Sequence, residues 1–156
     1  MRKSYVIYTG QVPNQQIEPS INWLRSRYPG KPFFLMGSDY VYPRTINSII
    51  RSQLKQSGLL RGENYIPLGI VEVAESIAKI RKAMPNGGII FNTLDGDTNV
   101  AFFKVLVQQN MTPKKYPVLS VNIAEEEVMA IGAEYVQGHY AAWSYFQTVN
   151  TPTNRH

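Results

Sequence analysis

The chain contains no cysteine. Disulfides, thiolate metal sites and a cysteine nucleophile are thereby excluded, while the compartment stays open, since secreted proteins without cysteine are common. Long apolar runs are also missing, and none approaches the ~20 residues needed to span a bilayer. No Gly-x-Gly-x-x-Gly, no P-loop and no Gly-x-Ser-x-Gly elbow occurs, so neither a nucleotide cradle nor a serine hydrolase is supported. The N-terminus MRKSYVIYTG has basic residues, but its short apolar run is broken by Thr9 and Gly10. It does not read as a secretion signal.

What is present is an ordinary globular composition, 44% hydrophobic and 17% charged over 156 residues. That length suits one domain with a real core. Sixteen basic and eleven acidic residues give a net charge of +5. The basic residues are spread over the polar faces and ends of expected helices, which argues for a solvated surface and against a nucleic-acid partner.

Short apolar stretches alternate with longer amphipathic ones. Strands are expected at Lys31–Gly37, Glu63–Leu68, Gly88–Thr93 and Tyr116–Val121, with a fifth within Tyr135–Ala142. Pro67 marks the second as an edge or a strand end. Helices are expected near Ile17–Arg27, Pro43–Gln56, Val73–Met84, Asp97–Gln109 and Ile123–Ile131. Pro43 suits a first helical position, and Asp97 suits an N-cap. Asn122, three residues before Glu125, fits the spacing of a helix N-terminus. The piece YVIYTG has strand character, and the tail TPTNRH reads as loose.

This alternation implies an α/β fold: a doubly wound, mostly parallel five-stranded sheet, flavodoxin-like in its order 2-1-3-4-5. Ligands of such sheets bind beyond the carboxyl ends of the strands, where the winding reverses. The loops meeting there are Ser38-Asp39-Tyr40-Val41-Tyr42 and Thr93-Leu94-Asp95-Gly96-Asp97. Asn122-Ile123-Ala124-Glu125 lies further along the rim. The candidate ligand-binding residues are Tyr40, Tyr42, Asp95, Ser38, Thr93 and Glu125. A carboxylate accepts N–H groups, while phenols donate to a carbonyl and exclude water with their rings. Urea or a short amide presents that combination. Neither a metal site nor a cofactor is expected.

Plainer roles stand beside these. Tyr40 and Tyr42 would also serve to pack a strand tip, Asp95 to make an Asp-Gly turn, and Glu125 to fill a first helical turn. His139 reads as a core or hinge histidine, and Trp23 and Trp143 as packing.

The segments PNQQIEP, GSDYVYPRT, YIPLG, FNTLDGD, AEEE and GHYAAWSYFQ come in an order that resembles the type I periplasmic binding proteins. The resemblance is to their urea- and short-amide-binding branch and, more distantly, to the amide-sensing regulators of amidase operons. It covers about Tyr5 to Asn154. It implies that residues 1–16 are the end of a first lobe and a crossover, 17–150 a second lobe, and 151–156 a tail. Tyr40 and Tyr42 match the aromatic pair that walls the amide pocket. Asp95 falls where the sensor has an apolar residue and urea binders tend to have a polar one. The implied function is solute recognition for an ABC permease, not enzymatic, with a periplasmic full-length parent and no membrane insertion. The first-lobe half of the pocket is absent from this sequence, so a homodimer through the exposed lobe face is expected. The alternatives are the amide-sensing regulator and a receiver-like signalling domain with Asp95 as phosphoacceptor. A receiver needs an acidic pair after strand one and a lysine after strand five, but only Asp39 is available, and His139-Tyr140 stands in place of the lysine.

Overall fold

The structure, a computed structural model, describes residues 10–155. The strand character of YVIYTG therefore falls almost wholly outside the described residues. The elements are α1 (Pro13–Arg27), β1 (Phe33–Ser38), α2 (Val41–Leu54), β2 (Leu60–Ile66), α3 (Ala74–Ala83), β3 (Ile89–Thr93), α4 (Gly96–Gln108), β4 (Val118–Ser120), α5 (Glu125–Ile131), α6 (Ala133–Val136) and β5 (Tyr140–Ala141).

The sheet order is β2-β1-β3-β4-β5, and every pair is parallel. The α/β, doubly wound reading is thus observed, with the sheet wholly rather than mostly parallel. Side chains alternate across β1, and each set meets its own layer of helices. Phe33 and Leu35 pack with Ile17, Ile21 and Leu24 of α1 and Ile46 and Ile50 of α2. Phe34 and Met36 pack on the opposite face with Ile77 and Ile80 of α3 and Phe102 and Phe103 of α4. Strand β1 is buried throughout, as a central parallel strand must be. Strand β2 lies at an edge, and Pro67 follows its last residue.

Four expectations about element ends are corrected. Helix α1 begins at Pro13, four residues before the apolar stripe, because proline fits the first helical position and Gln15 Oε1 accepts the Val12 N–H at 3.0 Å. Pro43 is the third residue of α2, where an N–H would still lack an intrahelical acceptor, so proline costs nothing there either. The N-cap position of α4 is Asp95, not Asp97. The N-cap of α5 is Ala124, whose N–H is accepted by Glu127 Oε2 at 2.8 Å, and Asn122 is left out of the helix. The tail is also more ordered than expected. Residues Thr153–Arg155 form a 3-10 turn, and Asn154 Nδ2 donates to the Phe146 and Val149 carbonyls at 2.7 and 2.8 Å. Among the described residues, no helix is long and apolar enough to cross a membrane.

Candidate functional site

The carboxyl ends of β1 and β3 are adjacent, with Gly37 paired to Thr93. Helices wind to opposite faces from these two strands, so their tips flank the switch-point crevice. Gly37 makes the junction tight. A Cβ there would lie 2.7 Å from Thr93 Oγ1 and 2.8 Å from Pro43 Cβ. Gly37→Ala is expected to destabilise the fold by about 1–3 kcal/mol, because a strand tip and a helix start must both give way. A urea-denaturation midpoint equal to that of the parent chain would contradict this.

Ser38 and Thr93 are fully buried beneath the crevice floor. Ser38 Oγ accepts the Asp95 N–H at 3.0 Å, and Thr93 Oγ1 donates to the Met36 carbonyl at 2.9 Å. These two hydroxyls join the strand tips.

Above them, Tyr40 immediately precedes α2, and Tyr42 lies in its first turn. Their rings stack at 6.4 Å with 28° between planes. Burial, followed by the neighbouring Asp95 carboxylate, pushes the Tyr40 phenol up to about 12. Tyr42 is raised by the same causes in the same order. Both phenols are therefore protonated donors at any physiological pH.

Asp95 occupies the N-cap position of α4, yet its side chain makes no capping bond. Instead its Oδ1 accepts from Asn122 Nδ2 at 2.7 Å. The same Nδ2 also donates to the Leu94 carbonyl. Among the described residues, two buried acceptors remain without a partner in this crevice, Asp95 Oδ2 and Asn122 Oδ1. Although Tyr40 lies close enough to feel Asp95, no hydrogen bond of ordinary length and angle reaches Oδ2. Behind the site, Asn92 Nδ2 donates to Asn99 Oδ1 and Ser120 Oγ, both at 2.9 Å, and Asn92 Oδ1 accepts the Leu94 N–H at 3.0 Å. This buried amide network fixes the loop that carries Asp95.

The structure thus brings Tyr40, Tyr42 and Asp95 together and sets Ser38 and Thr93 underneath. Glu125 is engaged elsewhere. One of its carboxylate oxygens accepts both the N–H and the hydroxyl of Thr148 at 3.0 Å, and the backbone bond comes first among the causes holding its carboxyl below the usual range. Asn122, on the rim loop just beyond β4 but not among the candidate binding residues, joins the site through its bond to Asp95. Trp23 packs as expected, edge-on to Tyr140 with ring centroids 4.9 Å apart, but neither tryptophan is fully buried. Trp23 and Trp143 are 45% and 43% exposed and help to line a groove of about 370 Å³ beside β5 and α1. That groove lies away from Asp95, and the Gln16 amide on its wall already donates to the Val121 and Ala142 carbonyls. The unpartnered acceptors make the crevice the better ligand candidate, despite the groove's size.

Comparison with known proteins agrees with this fold. The chain is similar in structure to a solute-binding protein of an ABC transporter from R. palustris, solved in complex with 4-hydroxybenzoate. The TM-score is 0.80 at 17% identity, covering 97% of this chain and 41% of that one. It is also similar to an amino acid ABC transporter substrate-binding protein from Pseudomonas fluorescens Pf-5, with TM-score 0.71, 18% identity, and coverage of 86% and 36%. A third is a branched-chain amino acid ABC transporter periplasmic ligand-binding protein from Burkholderia xenovorans LB400, at TM-score 0.71, 22% identity, and coverage of 86% and 35%. The chain therefore spans well under half the length of these relatives. Both these structures and the matching family are of solute-binding proteins, not enzymes. The family model for the periplasmic binding protein domain matches residues 2–156, and the chain belongs to that family.

Proposed function

We propose that this chain is the solute-recognition lobe of a urea- or short-amide-binding protein that serves an ABC permease, its full-length parent being periplasmic. In this reading residues 17–150 form the second lobe, and Tyr40, Tyr42 and Asp95 form one wall of the solute pocket. The observation that carries it is the pair of buried acceptors without partners, Asp95 Oδ2 and Asn122 Oδ1, beside two protonated phenols. Acceptors that lack partners call for N–H donors, and phenols supply donors for a carbonyl. Urea and primary amides carry both. Family membership favours this reading over a receiver domain, and Asp39, which a receiver would need for metal, is paired with Arg44 at 2.7 Å.

Affinity follows from enclosure. A very small ligand gains at most about 1.5 kcal/mol per non-hydrogen atom, so fully enclosed urea reaches roughly 6 kcal/mol. One wall supplies roughly half of that, which corresponds to a Kd of several millimolar. Calorimetry of the chain with urea, acetamide, leucine and benzoate is expected to give weak binding that favours urea and acetamide. Micromolar affinity would refute the one-wall geometry. A preference for leucine or benzoate would refute the solute class.

A further inference from the structure

Asn122 lies on the loop after β4 and uses one amide hydrogen-bonding group fully. Its Nδ2 donates both to the Leu94 carbonyl and to Asp95 Oδ1. Turning the amide over would set its oxygen against two other acceptors, so the orientation is locked. Its Oδ1 is therefore fixed as an acceptor, and among the described residues it has no partner. Asp95 Oδ2 is in the same condition on the other side of the same contact. The two free acceptors thus flank one hydrogen bond and belong to one rigid unit.

We infer that Asn122 is a specificity-determining residue, which together with Asp95 requires the bound solute to present two N–H donors at this end. This rests on the solute-recognition reading of the crevice and extends it. A primary amide or a urea –NH₂ group meets the requirement with its two hydrogens. A tertiary amide offers none, and a carboxylate brings only acceptors against acceptors. At this wall the chemistry runs opposite to that of an aromatic acid presented by its carboxylate. Tyr40 and Tyr42 then cover the solute and donate to its carbonyl. Asn122 acts on the solute directly through Oδ1 and also positions Asp95 through Nδ2.

The test is a titration of the chain with acetamide, N,N-dimethylacetamide and benzoate, followed by ¹H–¹⁵N NMR. Acetamide is expected to shift the Asp95 backbone amide and the Asn122 side-chain NH₂, and the other two probes are expected to leave both unmoved. Asn122→Ala should weaken acetamide binding by about tenfold, the loss of one acceptor and of the Asp95 clamp. Asp95→Asn keeps the shape but turns the unpartnered acceptor into a donor. It should abolish the preference for acetamide over N,N-dimethylacetamide, with a dispersed spectrum showing that the variant is folded. Equal responses to acetamide and N,N-dimethylacetamide would overturn the two-donor requirement alone. So would an Asn122→Ala chain that binds acetamide as the parent does. No shift at Tyr40, Tyr42, Asp95 or Asn122 with saturating acetamide would overturn the solute reading as well.

Discussion

Taking the protein from pH 6.5 to pH 5 is expected to remove about 2 kcal/mol of folding stability through His139 alone. His139 Nδ1 accepts the Val118 N–H at 3.0 Å, so the unprotonated nitrogen is part of the β4 backbone's own bonding. The imidazole packs edge-on to Phe103, with centroids 5.4 Å apart. Burial pushes its pKa down to about 4, against 6.5 for the free side chain. At pH above 6.5 the ring is neutral both folded and unfolded, and it contributes no slope. Between 6.5 and 4 only the unfolded chain takes up the proton, so stability falls as pH falls, by about 3 kcal/mol in total. Below about 4 the folded form is protonated too, and Nδ1 ceases to accept. Glu75 and Glu125, whose carboxyls are held low by Lys79 and by Thr148 respectively, lose their contributions only in stronger acid. Denaturant titrations at pH 7 and pH 5 on the parent chain and on His139→Gln isolate the effect, because glutamine has no proton to gain in this window. The expected result is a steep loss in the parent and a shallow one in the variant. Matching slopes would show that His139 is not the source.

Gly87→Ala should cost more, about 2–6 kcal/mol. Gly87 has φ +96°, a region costing roughly 1–3 kcal/mol for a residue with a side chain. A Cβ there would also lie 2.5 Å from the Lys115 carbonyl oxygen, which is backbone and cannot rotate away. That oxygen is held close because it accepts the N–H of Gly88 at 3.1 Å, the bond that ties the approach to β3 to the segment before β4. Relieving the overlap breaks this bond or shifts the start of β3, and overpacking of this kind adds roughly 1–3 kcal/mol. Thermal melts of the two chains measure the difference, and a melting temperature within a degree of the parent's would refute it.

The layer architecture was legible because buried parallel strands read as short continuous apolar runs, such as FFLM and IIF, with amphipathic helices between them. The order of the strands followed from handedness and from where the winding reverses. Element ends were less legible. Which of Asp95 and Asp97 stands at the cap depends on one extended residue, Asp95 at φ −120° and ψ 156°, and both positions satisfy the same composition rule. The tyrosine pair was readable because proline two positions after Tyr40's neighbour marks a helix start, and the fold places that start at the crevice. Asn122 was legible as a rim residue but not as a partner of Asp95, because spacing to Glu125 carries no information about long-range partners. Trp23 packs edge-on against Tyr140, yet it and Trp143 stay partly exposed because β5 is only two residues long and leaves its flank open.

Gln16 carries a consequence for how the chain comes together during synthesis. It lies in the first helix, and the two carbonyls it donates to lie 105 and 126 positions later. At roughly 5–20 residues per second, a ribosome adds the later of them about 6–25 seconds after Gln16 itself. Through that interval the Gln16 amide stays hydrated, while the apolar face of α1 can already seat against β1 and α2, with which Ile17, Ile21 and Leu24 pack. The two Gln16 bonds then tie α1 to the segments just beyond β4 and β5.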